Sequence, residues 1–402
     1  MNKLKFVLVG CGRIATLHVA GYRDNPDGEL WGVQDIDRKA AEKFAGEHGV
    51  PKVYATFEEV LADPEVAGVE LLIPHHLHCE YTLRACAAGK HVAVQKPMAM
   101  NLAQCDEMIK AAKDNHVKLK VSENFIFYPP YRFAKELLDA GEIGAPVGIR
   151  LKMNNAGLHS KNVPIDMKVK RGSVPEGEEL GKTGWAIDPK SWLWRFNHSQ
   201  SGGGPTVFDD GYHKFSVILY MLGEVEKVFA WIDKTQIIPG IYNDSPANIM
   251  WKHKCDRPLY GAWDIVMSDE MYVQSKYYTC DERVEITGSR GVLWVTRCTA
   301  TMMPEVAPVV LYRDGKLTEY WDMRHDWADS FEASTRDFTR AAARDEPPTL
   351  TGEQGREVLK FALAAIDSSA QKREIYLDSY EDKPAPKKRG LLGALIAGRK
   401  KK

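Results

Sequence analysis

An acid and an imidazole lie close together in the second half of the sequence, just after a run of three glycines. Asp209 and His213 are four residues apart, and a helical pattern at residues 214–222 follows them. At this spacing the two side chains share one face of a helix or of its first turn. A carboxylate beside an imidazole can orient the ring and raise its basicity, as abstraction of a hydroxyl proton requires. A purely structural hydrogen bond, with Asp209 or Asp210 as the acid, is the alternative interpretation.

A lysine occupies the end of an apolar run in the first half of the sequence. Gln95, Lys96 and Pro97 follow residues 91–94, which have the pattern of a buried strand. Sheets of parallel strands place their ligands at this carboxyl edge, and Pro97 stiffens the backbone there. A lysine amine that is partly buried has a lowered pKa, which suits proton transfer. An ordinary surface lysine at a strand end is the alternative.

A glycine-rich turn near the start of the chain has the pattern of a dinucleotide-binding site. Residues 10–15 read G-C-G-R-I-A and lie between a predicted strand and a predicted helix. Gly10 permits the tight turn, and Gly12 lets the backbone approach a pyrophosphate at the N-terminus of the helix. Asp35 follows the second predicted strand, where a carboxylate binds the 2′-hydroxyl of a ribose and repels a 2′-phosphate. The pattern favours NAD over NADP, although Arg38 is placed where it could receive a 2′-phosphate.

The elements that must position these residues fall into two groups. Within residues 1–123, short apolar runs alternate with helical patterns, which predicts a doubly wound parallel sheet of the Rossmann type. The predicted strands are residues 5–9, 30–34, 68–73, 91–94 and 118–121. The predicted helices are residues 14–25, 38–48, 57–62, 80–88 and 103–115.

The pattern changes after residue 123. Residues 124–380 predict an α+β domain with a large open, mostly antiparallel sheet, because strand patterns follow one another across short turns. The predicted strands are residues 147–153, 225–232, 249–253, 260–267, 284–286, 292–295 and 309–312, and the predicted helices are residues 124–140, 325–344 and 352–371. The polar, glycine-rich segment 155–190 is a long loop of the kind that is functional or disordered.

The composition limits the classes of function. The 402 residues contain 54 Lys and Arg against 55 Asp and Glu, so the chain as a whole has no electrostatic attraction to nucleic acid. A predicted basic tail, residues 381–402, contains an apolar run too short to span a bilayer, so it is at most a weak anchor to an anionic surface. Seven scattered cysteines without a C-x-x-C pair predict a reducing, cytoplasmic location.

Several motifs in this order resemble those of one enzyme family, the glucose-fructose oxidoreductase, inositol dehydrogenase and rhizopine-catabolism family (Gfo/Idh/MocA). The likeness extends over about residues 4–378. The motifs in this chain are G-x-G-x-x-A at residues 10–15, P-x-x-x-H at 74–78, G-K-H-V at 89–92, Q-K-P at 95–97, W-R at 194–195, G-G-G at 202–204 and D-x-G-x-H at 209–213.

Three features depart from the family pattern. Gln95 stands where the family usually has Glu, which removes a negative charge next to Lys96. His75 replaces a common Asn. The segment 155–190 is longer than in the simplest members, which indicates a different lid over the substrate.

The resemblance implies an NAD-dependent oxidoreductase that oxidises a secondary hydroxyl of a sugar, polyol or glycoside at a site between its two domains. It implies that Lys96, Asp209 and His213 are catalytic and face the nicotinamide. The predicted cofactor-binding residues are Gly10, Gly12, Arg13, Ile14, Asp35, Pro74, His78, Gln95 and Lys96. The predicted substrate-binding residues are Asn124, Trp194, Arg195, Asp209 and His213.

Two other functions are compatible with these residues. A lyase, epimerase or glycosidase that retains its NAD would use transient oxidation to acidify a neighbouring carbon, and a non-catalytic NAD-binding regulator would use no chemistry at all. No metal site is predicted, because His75, His76 and His78 have no acidic or cysteine partner nearby. An open apolar sheet face is costly in a monomer, so we expect a homodimer or a homotetramer.

Overall fold

The computed structural model describes residues 3–155, 193–238, 240–268, 271, 273 and 275–382. The predicted loop at residues 155–190 lies outside this range from position 156 onward, and the predicted basic tail lies outside it from position 383 onward. Every helix in the described part of the chain is too short or too polar to span a bilayer.

Six parallel strands form the sheet of the N-terminal domain, in the order β3-β2-β1-β4-β5-β6. These strands are β1 (Leu4–Val9), β2 (Gly28–Gln34), β3 (Lys52–Tyr54), β4 (Val66–Leu71), β5 (His91–Gln95) and β6 (Leu119–Ser122). The connecting helices are α1 (Ala15–His18), α2 (Arg38–His48), α3 (Phe57–Ala62), α4 (His75–Ala87) and α5 (Leu102–Asp114). The strand order reverses between β1 and β4, and doubly wound sheets bind their ligands at such a point. The predicted Rossmann-type sheet is confirmed.

The prediction of five strands was one strand short. β3 has three residues, which is too few for an alternation of apolar and polar positions to show in the sequence. It pairs in parallel with β2, where Gly32 lies opposite Lys52. A Cβ on Gly32 would lie 2.5 Å from Tyr54 Cε2. The Tyr54 ring on β3 can therefore pack against β2 only because residue 32 is a glycine.

The first helix is shorter than predicted. α1 contains a single turn, and a 3-10 turn over Val19–Tyr22 replaces the remainder of the predicted helix. Gly21 in this turn packs against Thr335, because a Cβ at Gly21 would lie 2.4 Å from Thr335 Cβ. The close approach of a second helix therefore decides the local conformation there, which helix propensity does not reveal.

Nine strands form the sheet of the second domain, in the order β16-β15-β14-β13-β7-β12-β11-β8-β17. They are β7 (Pro146–Asn155), β8 (Val225–Ile232), β11 (Ala247–His253), β12 (Tyr260–Met267), β13 (Cys280–Gly288), β14 (Gly291–Val295), β15 (Val309–Arg313), β16 (Lys316–Tyr320) and β17 (Ile375–Tyr376). β9 (Thr235–Ile238) and β10 (Ile241–Asn243) form a separate pair. β7 and β12 run parallel, and the other described pairs of the large sheet are antiparallel. The prediction of a large, mostly antiparallel sheet is confirmed.

Helices cover one face of the second sheet. Those that contact its strands are α6 (Pro129–Asp139), α8 (Gly211–Leu222) and α10 (Gly352–Gln371), whereas α7 (His198–Ser201) and α9 (Ala328–Arg344) pack on elements of the N-terminal domain. Trp263 of β12 is fully buried, and its ring lies edge-on to Phe215 of α8 at a centroid distance of 5.6 Å. Phe361 of α10 contacts the same Phe215 ring at 4.6 Å. This aromatic contact fixes α8 between the sheet and α10.

The helix α9 joins the two domains. The Phe338 ring packs edge-on against Phe6 of β1 at a centroid distance of 5.3 Å. Asp337 pairs at 3.2 Å with Lys120 of β6, whose side chain is fully buried. Removing one partner from such a buried pair is costly, so the pair holds the end of β6 firmly against the second domain.

Candidate active site

The run of three glycines leads the chain through close contacts into the helix that follows. Gly202 has a φ of 88°, a left-handed conformation that favours glycine. A Cβ on Gly203 would lie 2.4 Å from Phe208 Cγ, and a Cβ on Gly204 would lie 2.2 Å from Asp244 Cγ. Each of the three positions therefore requires glycine for a reason of its own.

The helix after the glycines is π-helical over Pro205–Asp210 and continues directly as α8. Asp244 caps its first turn, because Oδ1 accepts a hydrogen bond from the Thr206 N–H at 2.7 Å and Oδ2 accepts one from the Val207 N–H at 2.8 Å. Burial raises the pKa of Asp244, and these two N–H groups oppose the rise. The cap fixes the turn from which Asp209 projects.

The carboxylate of Asp209 binds two cations. Lys96 Nζ donates to Oδ1 at 2.6 Å and to the carbonyl oxygen of Asp209 at 3.0 Å, and Arg195 donates to Oδ2. The Asp209 side chain is 3% exposed and the Lys96 side chain is 12% exposed. Burial by itself would raise the pKa of Asp209, but Arg195 and Lys96 outweigh it and hold this pKa well below its usual range. Asp209 is therefore ionised at neutral pH.

The predicted pairing of Asp209 with His213 is wrong. His213 Nδ1 lies 2.6 Å from Glu123 Oε2, and Glu123 follows β6 in the N-terminal domain. Asp209 lies on the π-helical turn and His213 on α8, and both oxygens of the Asp209 carboxylate are occupied by Lys96 and Arg195. The site therefore contains two acid–base pairs where the sequence predicted one.

His75 connects the site to the glycine run. Its Nδ1 lies 2.8 Å from the carbonyl oxygen of Ser201, and its Nε2 lies 3.6 Å from Asp209 Oδ1. Burial lowers the pKa of His75 to about 3, so the ring is neutral at pH 7. His75 occupies the first turn of α4, together with His76 and His78, so this helix begins five residues before the helix predicted over residues 80–88.

His78 links two segments near the predicted cofactor. Its Nδ1 lies 2.9 Å from the carbonyl oxygen of Pro97, and its Nε2 lies 2.8 Å from that of Ile73. Burial lowers the pKa of His78 to about 4. Among the described residues, no three His, Cys, Asp or Glu side chains are grouped so that they could hold a metal ion. The contacts of the His78 ring with Pro97 and Ile73 fix the loop that carries Lys96.

The glycine-rich turn has room for a pyrophosphate. Gly10 has a φ of 100°, and a Cβ there would lie 2.4 Å from the Leu72 carbonyl oxygen. Apart from the two chain neighbours, no atom of the described residues lies within 4 Å of the position that a Cβ would take at Gly12, so the backbone is open on that side. Asp35 Oδ2 accepts a hydrogen bond from the Cys11 N–H at 2.7 Å, which holds the carboxylate at the edge of the turn. An open turn beside a fixed carboxylate fits a dinucleotide.

Two family models match this chain. The model of the Gfo/Idh/MocA oxidoreductase family, NAD-binding Rossmann fold, matches residues 4–123. The model of its C-terminal alpha/beta domain matches residues 181–377. This chain belongs to the Gfo/Idh/MocA oxidoreductase family. Its first domain is therefore the NAD-binding domain of that family.

The family members that resemble this chain include enzymes of sugar and polyol metabolism. A myo-inositol 2-dehydrogenase from Thermotoga maritima is 25% identical over 382 residues, which cover 93% of this chain and 99% of the relative. A 1,5-anhydro-D-fructose reductase from Ensifer adhaerens is 24% identical, over 90% of this chain and 95% of the relative. A levoglucosan dehydrogenase in complex with NADH and levoglucosan has the same fold, with a TM-score of 0.72, 19% identity and coverage of 94% and 100%.

The residue before Lys96 departs from the family motif. Gln95 Oε1 accepts a hydrogen bond from the Lys96 N–H at 2.9 Å, and Gln95 Nε2 lies 3.4 Å from His18 Nε2. His18 Nδ1 in turn lies 2.5 Å from Glu70, and both of these side chains are 1% exposed. Gln95 therefore holds the Lys96 backbone without a charge of its own, and the buried acid of this network lies at Glu70.

The predicted substrate contact of Asn124 is not what the structure shows. Asn124 is 1% exposed, and its Nδ2 donates to Ser330 Oγ at 2.7 Å. The amide thus joins the end of β6 to α9. Phe125, which follows it, is buried against the His213 ring.

Among the other predicted site residues, Trp194 and Arg195 pack together beside His75. Trp194 lies edge-on to His75 at a centroid distance of 4.7 Å, and the Arg195 guanidinium lies 4.9 Å from the Trp194 ring. Arg13 and Ile14 are half-buried in the turn before α1, and Pro74 directly precedes α4.

Glu123 and Asp244 are the site residues that the sequence analysis missed. Neither belongs to a motif, and an acid is normally exposed, so nothing in a single sequence marks these two as buried. The one available signal for Glu123 was its place two residues after the predicted strand 118–121, at the carboxyl edge of the sheet.

Proposed function

We propose that this family member is an NAD-dependent dehydrogenase that oxidises a secondary hydroxyl of a sugar, polyol or glycoside. The observation that carries the proposal is the ion pair of Lys96 and Asp209, which joins the loop after β5 to the second domain beside the buried His213. Lys96, as a charged hydrogen-bond donor, and His213, as a neutral base, lie at one site, and this combination suits removal of a hydroxyl proton. The names of the relatives support polyols and anhydrosugars as the substrate class.

The N-terminal domain would hold NAD at the glycine-rich turn, with Gly12 against the pyrophosphate and Asp35 against the ribose. NAD, when bound, supplies the hydride acceptor for the oxidation. Arg38 Nε donates to Glu42 on the same helix at 2.8 Å, so this guanidinium already has an acid partner. A fixed Asp35 and a paired Arg38 both favour NAD over NADP. Arg13, Ile14, Pro74, His78 and Gln95 stay predicted contacts of the cofactor.

Lys96 would bind the hydroxyl oxygen of the substrate and stabilise the negative charge that develops as the proton leaves. The ionised Asp209 holds the Lys96 amine in place, and Arg195 holds the second oxygen of that carboxylate. Preorganised charges of this kind are worth more in a buried site than in water. Asp209 thus acts on the substrate through Lys96.

His213 would accept the hydroxyl proton. Burial lowers the pKa of His213, and the nearby Lys96 charge lowers it further. Glu123 raises the pKa in part, but the net shift is downward. The ring is neutral at pH 7 and can serve as the general base. Trp194 and Arg195 would line the substrate side of the cleft, the first with an apolar face for sugar C–H groups and the second with hydrogen-bond donors.

A panel of sugars, polyols and glycosides tests the proposal. Each compound is incubated with the protein and NAD or NADP, and the reduced cofactor and the products are measured. We expect one class of polyhydroxy compound to give NADH and a keto product in equal amounts. A changed product without net NADH would favour the lyase, epimerase or glycosidase, and NAD binding without any product would favour the regulator.

We propose further that copies of the chain associate through the open face of the large sheet in the cytoplasm. Large side chains are exposed along these strands, among them Trp231 at 55%, Tyr260 at 55% and Leu317 at 57%. Exposed apolar faces of this kind mark interfaces. Seven cysteines in the sequence, all unpaired, are typical of a reducing compartment. Sedimentation of the wild type as a dimer or tetramer, and of Trp231→Glu as a smaller species, tests the association.

A further inference from the structure

A buried glutamate that no motif marks holds the histidine of the site. Glu123 is fully buried directly after β6, and its Oε2 lies 2.6 Å from His213 Nδ1. Its other oxygen, Oε1, accepts a hydrogen bond from the Phe125 N–H at 2.6 Å. The carboxylate is therefore fixed at both oxygens.

The same short segment also fixes the plane of the imidazole. The Phe125 ring stacks on the His213 ring with a centroid distance of 4.1 Å and an interplanar angle of 16°. A contact with Glu123 at Nδ1 and a stacked ring on one face leave His213 little freedom to rotate about χ2. The edge of the ring that carries Nε2 is thereby directed by Glu123 and Phe125, which both lie just after β6.

Several charged groups act on this ring. Glu123 approaches from the end of β6, Lys96 from the loop after β5 and Asp210 from the π-helical turn. The neighbouring Lys214 on α8 is paired with Asp210 at 2.6 Å and with the buried Glu282. Among these groups, Glu123 is the one that hydrogen-bonds to the imidazole itself.

We propose that Glu123 is a positioning residue that fixes the tautomer of His213, with the proton on Nδ1 and the lone pair on Nε2 available to the substrate hydroxyl. This inference rests on the proposed function for its catalytic meaning, but the tautomer itself is a property of the protein alone. An ionised carboxylate can only accept hydrogen bonds, so the nitrogen that faces Glu123 must carry the proton. The orientation of a base by a buried acid has a large effect on rate, because the wrong tautomer cannot accept the proton.

The substitution Glu123→Gln is informative because the Phe125 N–H determines how the new amide is oriented. That N–H needs an acceptor, so the amide oxygen takes the place of Oε1 and the NH₂ group faces His213 Nδ1. The NH₂ group then donates to Nδ1, which forces the proton of a neutral imidazole to Nε2. The variant keeps the size of the side chain and reverses the tautomer.

The tautomer can be read directly by NMR of the full-length protein with ¹⁵N-labelled histidine and without cofactor. The His213 signals are assigned by their loss in His213→Asn. We expect a protonated Nδ1 and an unprotonated Nε2 in the wild type, and the reverse in Glu123→Gln. A wild type with its proton on Nε2 overturns the proposal, and this result does not require Glu123→Gln to fold.

Kinetics with the substrate found in the panel give the second measurement. In Glu123→Gln we expect kcat to fall by about 10²- to 10⁴-fold, with the Kd of NAD within about twofold of the wild type. The pKa that limits activity at low pH moves downward, because the Glu123 charge that raises the pKa of His213 is gone. An unchanged kcat in a variant with the reversed tautomer overturns the catalytic role.

Glu282→Gln is the matched control. Glu282 is also buried, and it pairs with Lys214, the residue next to His213 on α8. This variant removes a buried acid from the same neighbourhood without touching the imidazole, so the Nδ1–H tautomer is kept. A reversed tautomer in this control would show that general disturbance of α8 is the cause, and would overturn the role of Glu123. If no substrate gives NADH, the proposed function fails, whereas the NMR result still decides the tautomer.

Discussion

Lys96 Nζ lies 2.6 Å from Asp209 Oδ1, although 113 positions separate the two residues in the chain. The contact joins the loop after β5 in the NAD-binding domain to the π-helical turn of the second domain. Arg195 occupies the other oxygen of the same carboxylate. One buried acid thus sets the position of a cation from each domain, and the predictions below test what depends on that arrangement.

Replacement of Lys96 by alanine removes the proposed donor to the substrate and leaves the glycine-rich turn intact. In Lys96→Ala we expect turnover to fall by about 10²- to 10⁴-fold, with NAD affinity close to that of the wild type. Steady-state kinetics and calorimetric titration with NAD measure the two quantities. Lys52→Ala is the control, because Lys52 pairs with Asp63 at the surface of the same domain, with 43% of its side chain exposed. A loss of NAD binding equal to the loss of turnover would assign Lys96 to the cofactor only.

Two glycine-to-alanine substitutions should have opposite effects on stability. At Gly204 the new Cβ would lie 2.2 Å from Asp244 Cγ, so the cap of the π-helical turn must move. We expect Gly204→Ala to lower the free energy of unfolding by about 1 to 3 kcal/mol and to reduce kcat. Gly46 lies within α2, and outside the backbone of that helix no atom in the described part of the chain lies within 4 Å of the Cβ position, so Gly46→Ala should stabilise the protein by about 0.5 to 1 kcal/mol. Urea unfolding measures both, and equal effects at the two positions would contradict the role of the Asp244 cap.

The sequence predicted the parts of the fold that depend on local pattern. Strands β1, β2, β4, β5 and β6 and the large second sheet follow from apolar runs and turns, which periodicity detects. The meeting of Lys96 with Asp209 followed from motif order and family likeness. The three-residue β3 and the π-helical turn over Pro205–Asp210 leave no periodic pattern in the sequence, because both depend on contacts with distant parts of the chain.

The parts of the site that could not be predicted are the buried acids outside the motifs. In place of water, each of these acids, Glu70, Glu123 and Asp244, contacts a partner that is distant in sequence. Glu70 contacts His18, and Glu123 contacts His213. A sequence shows the acid but not the partner that makes its burial tolerable. For the same reason Asp209 was paired with the imidazole four residues away, when its cations come from positions 96 and 195.

Acid should destabilise the protein before its carboxylates are protonated. Burial lowers the pKa of His75 to about 3 and that of His78 to about 4, whereas both titrate near 6.5 in the unfolded chain. Between those values the unfolded state binds more protons than the folded state, so stability is full above pH 6.5 and falls as the pH is lowered.

Each of these two histidines then contributes a slope of about 1.4 kcal/mol per pH unit between pH 6 and about pH 4. Urea unfolding at several pH values measures the slope for the wild type and for His78→Gln. We expect a shallower slope in the variant, whatever its stability at pH 7. The exposed His116 supplies the control, since His116→Gln should leave the slope unchanged. Equal slopes in the wild type and His78→Gln would show that His78 is not buried in its neutral form.

The preference for NAD should depend on the charge of Asp35 at the edge of the glycine-rich turn. The two oxygens of Asp35 accept hydrogen bonds from the Cys11 N–H at 2.7 Å and the Asp37 N–H at 2.8 Å, which fix the carboxylate at the edge of the turn. A serine there loses the charge-assisted bond to the ribose and the repulsion of a 2′-phosphate. We expect Asp35→Ser to weaken NAD binding by about 10- to 100-fold and to bring the affinities for NAD and NADP closer together.

Asp37→Ser is the control for Asp35→Ser, because it removes the same charge two residues away. Asp37 caps α2 by accepting hydrogen bonds from the backbone N–H groups of Lys39 and Ala40, and serine performs that role nearly as well. Both variants therefore have the same net charge and an intact helix, and only one lacks the carboxylate at the turn. Titration of each with NAD and NADP separates the effect of position from that of charge. If both variants shift the ratio of the two affinities equally, the long-range field of the domain sets the preference, and the contact of Asp35 with the ribose does not.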